Sequence, residues 1–195
     1  MRGEKRERIL RVLLAETVPL SKNELAKRTK CTRQWIILFL KELEKEALVK
    51  ETKVTNSKKL IEHWLAIHER PTKYREYMVK NPLELLKKTS LEYALTTYSA
   101  ENLVHHYLFP HRNDIYVKEE DIEKWHALLM KDGLYGGGNV RLIPSNEHVF
   151  YKSKKIHDLF VVCLPQLIID LFTESGVCGE AAEMLVKRLE HVQRV

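Results

Sequence analysis

At 195 residues and 44% hydrophobic content, the chain has enough apolar material for one large domain or two small ones, which excludes a disordered tail. Its net charge of +6 is unevenly shared: residues 1–80 hold 20 Lys+Arg against 11 Asp+Glu (+9), and residues 81–195 hold 13 against 16 (−3). No apolar run reaches spanning length, MRGEKRERIL lacks the continuous apolar segment of a signal peptide, and Cys31, Cys163 and Cys178 have no paired spacing; a reduced cytoplasm is expected, without a membrane, a disulfide framework or a structural zinc site.

Glu4 to Glu16 places Ile9, Leu10, Leu13 and Leu14 on one face, with Lys5, Arg6, Arg8 and Arg11 largely on the other, which predicts an amphipathic first helix. Val18-Pro19-Leu20 is an extended connection. Ser21-Lys22-Asn23-Glu24 has the form of a capping box and opens a second helix to Thr29, followed by a tight turn at Lys30-Cys31. Thr32 is the N-cap of a third helix to Glu46, whose Ile36, Phe39, Leu40 and Leu43 recur at helical spacing. Leu48 to Val54 and Leu60 to Ile67 read as two strands joined by Thr55-Asn56-Ser57-Lys58-Lys59, with Trp64 as a packing residue. Three helices closed by a basic hairpin predict a winged helix-turn-helix over residues 1–68.

The basic surplus coincides with that pattern, which points to double-stranded DNA as partner, because phosphate neutralisation supplies most sequence-independent affinity. Arg33 and Gln34 are the candidates for base readout. Lys30, Lys41, Lys53, Lys58 and Lys59 form a basic track for phosphates, and Thr32 and Trp35 complete the predicted DNA-binding set. Trp35, Ile37 and Leu38 stand where DNA readers usually carry polar side chains, so they either touch thymine methyl groups or are covered by protein. In the alternative they form an apolar patch, and the module binds a protein instead.

Residues 69–81 are polar, contain Pro71 and end before Pro82, so they read as a linker, with Asn81 as N-cap of a helix to Thr89. Beyond it the chain alternates: Tyr93–Thr96 extended, Ser99–Leu108 helical, Asp114–Val117 extended, and Lys118–Lys131 helical with Gly133 as its stop. Asn139–Ile143, His148–Tyr151 and Leu159–Leu164 read as strands, and Pro165–Thr173 and Gly179–Val192 as helices. Residues 82–195 are thus expected to form an α+β domain with a small sheet, and the whole chain belongs to the α+β class.

Sites for chemistry are sparse. His105, His106, His111 and Asp114 do not converge as metal ligands, since adjacent helical histidines diverge. Gly136-Gly137-Gly138 lacks the Lys-Ser/Thr and the following helix of a phosphate loop and reads as a mobile hairpin connection. Asp170, inside an apolar helix, is expected to be paired within the structure. Nucleotidyl transfer needs clustered carboxylates, and Asp114-Ile115-Tyr116-Val117 offers one; neither an enzyme nor a cofactor is expected.

Ala94-Leu95-Thr96-Thr97-Tyr98-Ser99-Ala100-Glu101-Asn102-Leu103, Asp114-Ile115-Tyr116-Val117, Asn139 to Pro144, Val161 to Leu171 and Gly179 to Leu185 follow one another as ordered landmarks. This order resembles that of AbiEi-type antitoxins, a family that includes archaeal winged-helix transcriptional regulators. The tail of the third helix, Leu43 to Val49, is similar to the L-E-x-x-G-L-V pattern of winged-helix regulators. Thr97 stands where the family usually has glycine, and Cys178 where it has a basic residue. The resemblance implies a DNA-binding repressor, often of its own operon. In type IV toxin-antitoxin pairs such a repressor opposes a nucleotidyltransferase toxin as a functional antagonist. For the second domain, homodimerisation, ligand sensing and support of the DNA-bound form remain open.

Overall fold

The computed structural model describes residues 2–174 and 176–194. Helix α1 (Arg2–Ala15) leads into α2 (Lys22–Thr29) and α3 (Arg33–Lys45). The Oγ of Ser21 accepts the amide of Glu24 at 3.1 Å and caps α2, but the Glu24 carboxylate turns to Arg28 at 2.7 Å, so only half of the capping box forms. Lys30 closes α2 in the left-handed region (φ 54°), and its amide bonds back to Ala26 and Lys27. The Oγ1 of Thr32 then accepts the amide of Trp35 at 3.3 Å and starts α3.

A minimal hairpin follows, β1 (Val49–Lys50) and β2 (Lys53–Val54), and here the structure departs from the expected pair of strands. Leu60–Ile67 is not a strand but most of α4 (Ser57–Ile67), which Asn56 caps by accepting the amide of Lys59 at 2.9 Å. Leu60, Ile61 and Trp64 are buried at i, i+1 and i+4, the spacing of one helical face. Lys58 and Lys59 therefore sit in the first turn of a helix rather than at the tip of a hairpin.

The remaining strands build one mixed sheet of seven, larger than expected: β3 (Arg75–Val79), β4 (Tyr93–Thr96), β5 (Asn113–Lys118), β6 (Gly133–Tyr135), β7 (Val140–Ser145), β8 (Lys154–Ile156) and β9 (Leu159–Val161), in the order β6-β3-β7-β5-β4-β9-β8. Strand β3 lies inside the segment expected to be a linker and pairs antiparallel with both β6 and β7. His148–Tyr151 is not a strand; Glu147–Phe150 forms a 3-10 turn that buries His148, Val149 and Phe150 in succession, which the alternating faces of a strand would not do. The Gly136–Gly138 stretch is no hairpin either, because β6 and β7 flank β3 and the connection must pass over it. A Cβ at Gly138 would lie 2.3 Å from the carbonyl oxygen of Tyr77, so only glycine fits this crossing.

Strand alternation sets the two faces of the sheet. The cross-strand pairs Tyr93–Val117 and Leu95–Ile115 are buried on one face, where the Trp125 ring of α7 (Ile122–Leu129) meets Tyr93 edge-on at 6.0 Å; α5 (Pro82–Lys88) buries Leu86 in the same core. Ala94, Thr96, Asp114 and Tyr116 face α8 (Leu164–Glu174), which packs on α9 (Val177–Arg194) and against α6 (Thr97–Val104).

The N-terminal helices are not a separate body. From Ile9 to Leu14 every residue of α1 is buried, Arg11 included, so this stretch is enclosed on all sides rather than amphipathic. Helices α1 and α4 pack on α8, and one hydrophobic core runs through both halves of the chain. Arg11, expected on the polar face, instead donates to the Oε1 of Gln166 on α8 at 2.6 and 2.8 Å and to the Nδ1 of His148 at 2.8 Å, and it lies over the Trp64 ring. Among the described residues no helix is long and apolar enough to cross a membrane.

Candidate nucleic-acid interface

At about 100° per residue, the buried Ile36, Phe39, Leu40 and Leu43 leave Gln34, Leu38, Lys41 and Lys45 on the outward face of α3. Arg33 is exposed on the flank that also carries Glu44, whose carboxylate accepts the amide of Glu51 at 2.8 Å and ties the hairpin to the helix. Trp35 lies on the opposite flank with Glu42, towards α1: the ammonium of Lys5 is 5.9 Å from the Trp35 ring, and Arg6 bridges Glu42 at 2.9 Å. Trp35 is half-buried, so it does not belong to the outward face. Ile37 is half-buried too, and of the three apolar residues at reading positions only Leu38 is mainly outside, at 51% exposure.

Five exposed cations of this region stand at electrostatically unfavourable places. Lys50 and Lys53 are directly opposite in the hairpin register, where like charges repel. Lys58 and Lys59 occupy the first turn of α4 and Arg33 that of α3; neither turn contains an acidic residue, so these cations meet the positive end of the helix dipole. None of these five side chains forms an ion pair among the described residues. Lys45 and Lys50, which the sequence reading did not select, belong to the same exposed set. Lys30 differs: its ammonium pairs with Glu147, with both side chains more than half exposed, a contact that a phosphate can displace at little cost.

Behind α3 the second half of the chain holds the α2–α3 turn from below. The guanidinium of Arg11 can only donate, so the Nδ1 of His148 accepts, and the proton on its Nε2 is directed at the carbonyl of Arg28 at 3.2 Å. Burial and the charge of Arg11 keep His148 neutral, with a pKa lowered to about 3. Glu16 joins Arg28 at 2.6 Å and Lys152 at 2.8 Å and also accepts from Tyr151.

The carboxylates Asp114 and Asp170 are each held by several donors of the scaffold. Asp114 is fully buried, accepts from both Arg112 and Arg141 through two nitrogens each, and takes the hydroxyl of Thr97, so these donors hold its pKa below the carboxylate range despite burial. Thr97 has φ 49°, an uncommon left-handed conformation for a β-branched residue, at the position where the resembled family has glycine. Asp170 accepts from Thr96, Tyr116 and Gln166, as expected of a buried carboxylate, and desolvation raises its pKa to about 6. Among the described residues no group of three or more His, Cys, Asp or Glu side chains could hold a metal ion. Comparison with protein-family models, curated proteins and solved structures gives no match.

Proposed function

We propose that this chain is a DNA-binding transcriptional regulator, a winged helix-turn-helix in which α2 and α3 form the reading pair and the β1–β2 hairpin forms a short wing. The observation that carries the reading is the placement of Lys50, Lys53, Lys58, Lys59 and Arg33 where the fold disfavours cations. A polyanion relieves each of these positions, since the positive end of a helix dipole attracts phosphate oxygens. Arg33 and Gln34, at the exposed start of α3, reach base edges, while Lys41 and Lys45 further along the helix follow the backbone.

The resemblance to AbiEi-type antitoxins supports the narrower reading of a repressor of its own operon that opposes a nucleotidyltransferase toxin. A salt-titrated gel shift with the full chain tests the proposal, comparing DNA upstream of the gene with scrambled DNA of equal length. Preference for the upstream fragment at moderate salt is the expected result. Absence of binding at low salt overturns the reading.

A further inference from the structure

A groove lies where the two halves of the chain meet. Its walls come from the end of α1 (Leu14, Ala15), the end of α6 (Leu103, Val104), the β8–β9 hairpin and α9 (Leu189). Its cavity volume of about 390 Å³ falls in the range of small-molecule sites. The lining is mainly aliphatic, and its charged residues, Lys152, Lys154 and Arg188, are all basic, although residues 81–195 carry a net charge of −3.

The three cations are not equivalent. Lys152 is engaged by Glu16 and by the carbonyl of Ala15. One terminal nitrogen of Arg188 donates to the carbonyl of Val104 at 3.0 Å, leaving its other N–H groups available. Lys154 forms no ion pair among the described residues. Its register partner is Val161, so its side chain lies on the same face of the hairpin as a groove-lining valine and reaches the mouth from there.

We propose that the groove binds a small aliphatic carboxylate, with its hydrocarbon chain along the apolar wall and its carboxylate between Lys154 and Arg188. Charge complementarity selects this occupant: an uncharged apolar molecule leaves the basic mouth without a partner, and a short carboxylate leaves the wall uncovered. The inference does not rest on DNA binding, and its test does not use DNA.

Isothermal titration of the full chain at fixed ionic strength, with decanoate below its micellar concentration, decanol and acetate in parallel, provides that test. Decanoate is expected to bind with 1:1 stoichiometry, about tenfold more tightly than decanol, the worth of one charge-assisted contact, and at least about a hundredfold more tightly than acetate, which lacks the methylenes that cover the wall. Lys154→Ala, at an exposed residue, should weaken decanoate by a similar factor and leave decanol unchanged, and Ala15→Trp should block both. Equal binding of decanoate and decanol, no binding of decanoate, or decanoate affinity untouched by Lys154→Ala each overturn the proposal.

Discussion

Replacing Lys58 and Lys59 together by Gln should move stability and DNA affinity in opposite directions. Both lysines lie in the first turn of α4, which has no acidic residue. Each cation at a helix N-terminus costs about 0.3–1 kcal/mol at low ionic strength, so the double variant should gain roughly 0.6–2 kcal/mol. For a chain of this size that corresponds to a melting temperature higher by about 1–8 °C, and the gain should shrink as salt screens the dipole. If Lys30, Lys41, Lys45, Lys50, Lys53, Lys58 and Lys59 all meet phosphates, log Kobs should fall against log salt with a slope of about −6, and of about −4.5 in the variant. Between roughly 50 and 200 mM salt, the loss of affinity then drops from about 10⁴-fold to about 10³-fold. Differential scanning fluorimetry and fluorescence anisotropy with a short duplex measure the two quantities. An unchanged salt slope would remove α4 from the interface, and a lower melting temperature would refute the electrostatic reasoning itself.

Two further variants probe the buried polar network. Arg11→Ala removes the donor to Gln166 and His148 and the cation over Trp64, and should cost about 2–6 kcal/mol in urea unfolding, because it leaves two neutral buried acceptors without a donor at about 1–3 kcal/mol each; a loss below about 1 kcal/mol would show that the contact adds little. Asp170 has its pKa raised from 3.8 to about 6, so its contribution to stability is present at low pH and is lost as pH rises through 6. Relative to Asp170→Asn, the native chain should therefore gain on the order of 2 kcal/mol between pH 7 and pH 4, and a difference that stays constant with pH would mean the carboxylate titrates normally.

Short-range signals in the sequence were strong where they governed the structure. Thr32 caps α3 as its position before a helical stripe implied, and the apolar spacing of Ile36, Phe39, Leu40 and Leu43 marks the face that is buried. Tyr93–Thr96 and Asp114–Val117 are strands enclosed on both faces, with every residue buried. The errors arose where a pattern fitted two periods. Leu60, Ile61, Leu65 and Ile67 admit a strand, and the Asn56 cap together with Trp64 one turn after Leu60 decides for a helix. Strand β3 was hidden because Arg75 and Glu76 make it polar, their charges being carried at the sheet margin, with Arg75 bridging Glu123 at 2.6 Å. Of the candidate interface, the basic residues were legible and their local environment was not: that Lys50 opposes Lys53 follows from a register, and that Lys58 and Lys59 open a helix follows from the corrected assignment of α4. The burial of Arg11 had no local signal, because its partners are Gln166 and His148, more than a hundred residues away.

That distant partnership limits how the chain can be recombined. An N-terminal helical unit grafted from another protein would bring its own first helix and leave Gln166 and His148 facing a side chain they do not match. Conversely, residues 1–68 transplanted elsewhere would carry Arg11 and the apolar side of α4 into water. The two halves therefore have to change together, and a substitution at Arg11 in one lineage calls for a compensating one on α8 or in the 3-10 turn. Helix α3 is inherited along with the surface on which the N-terminal helices rest.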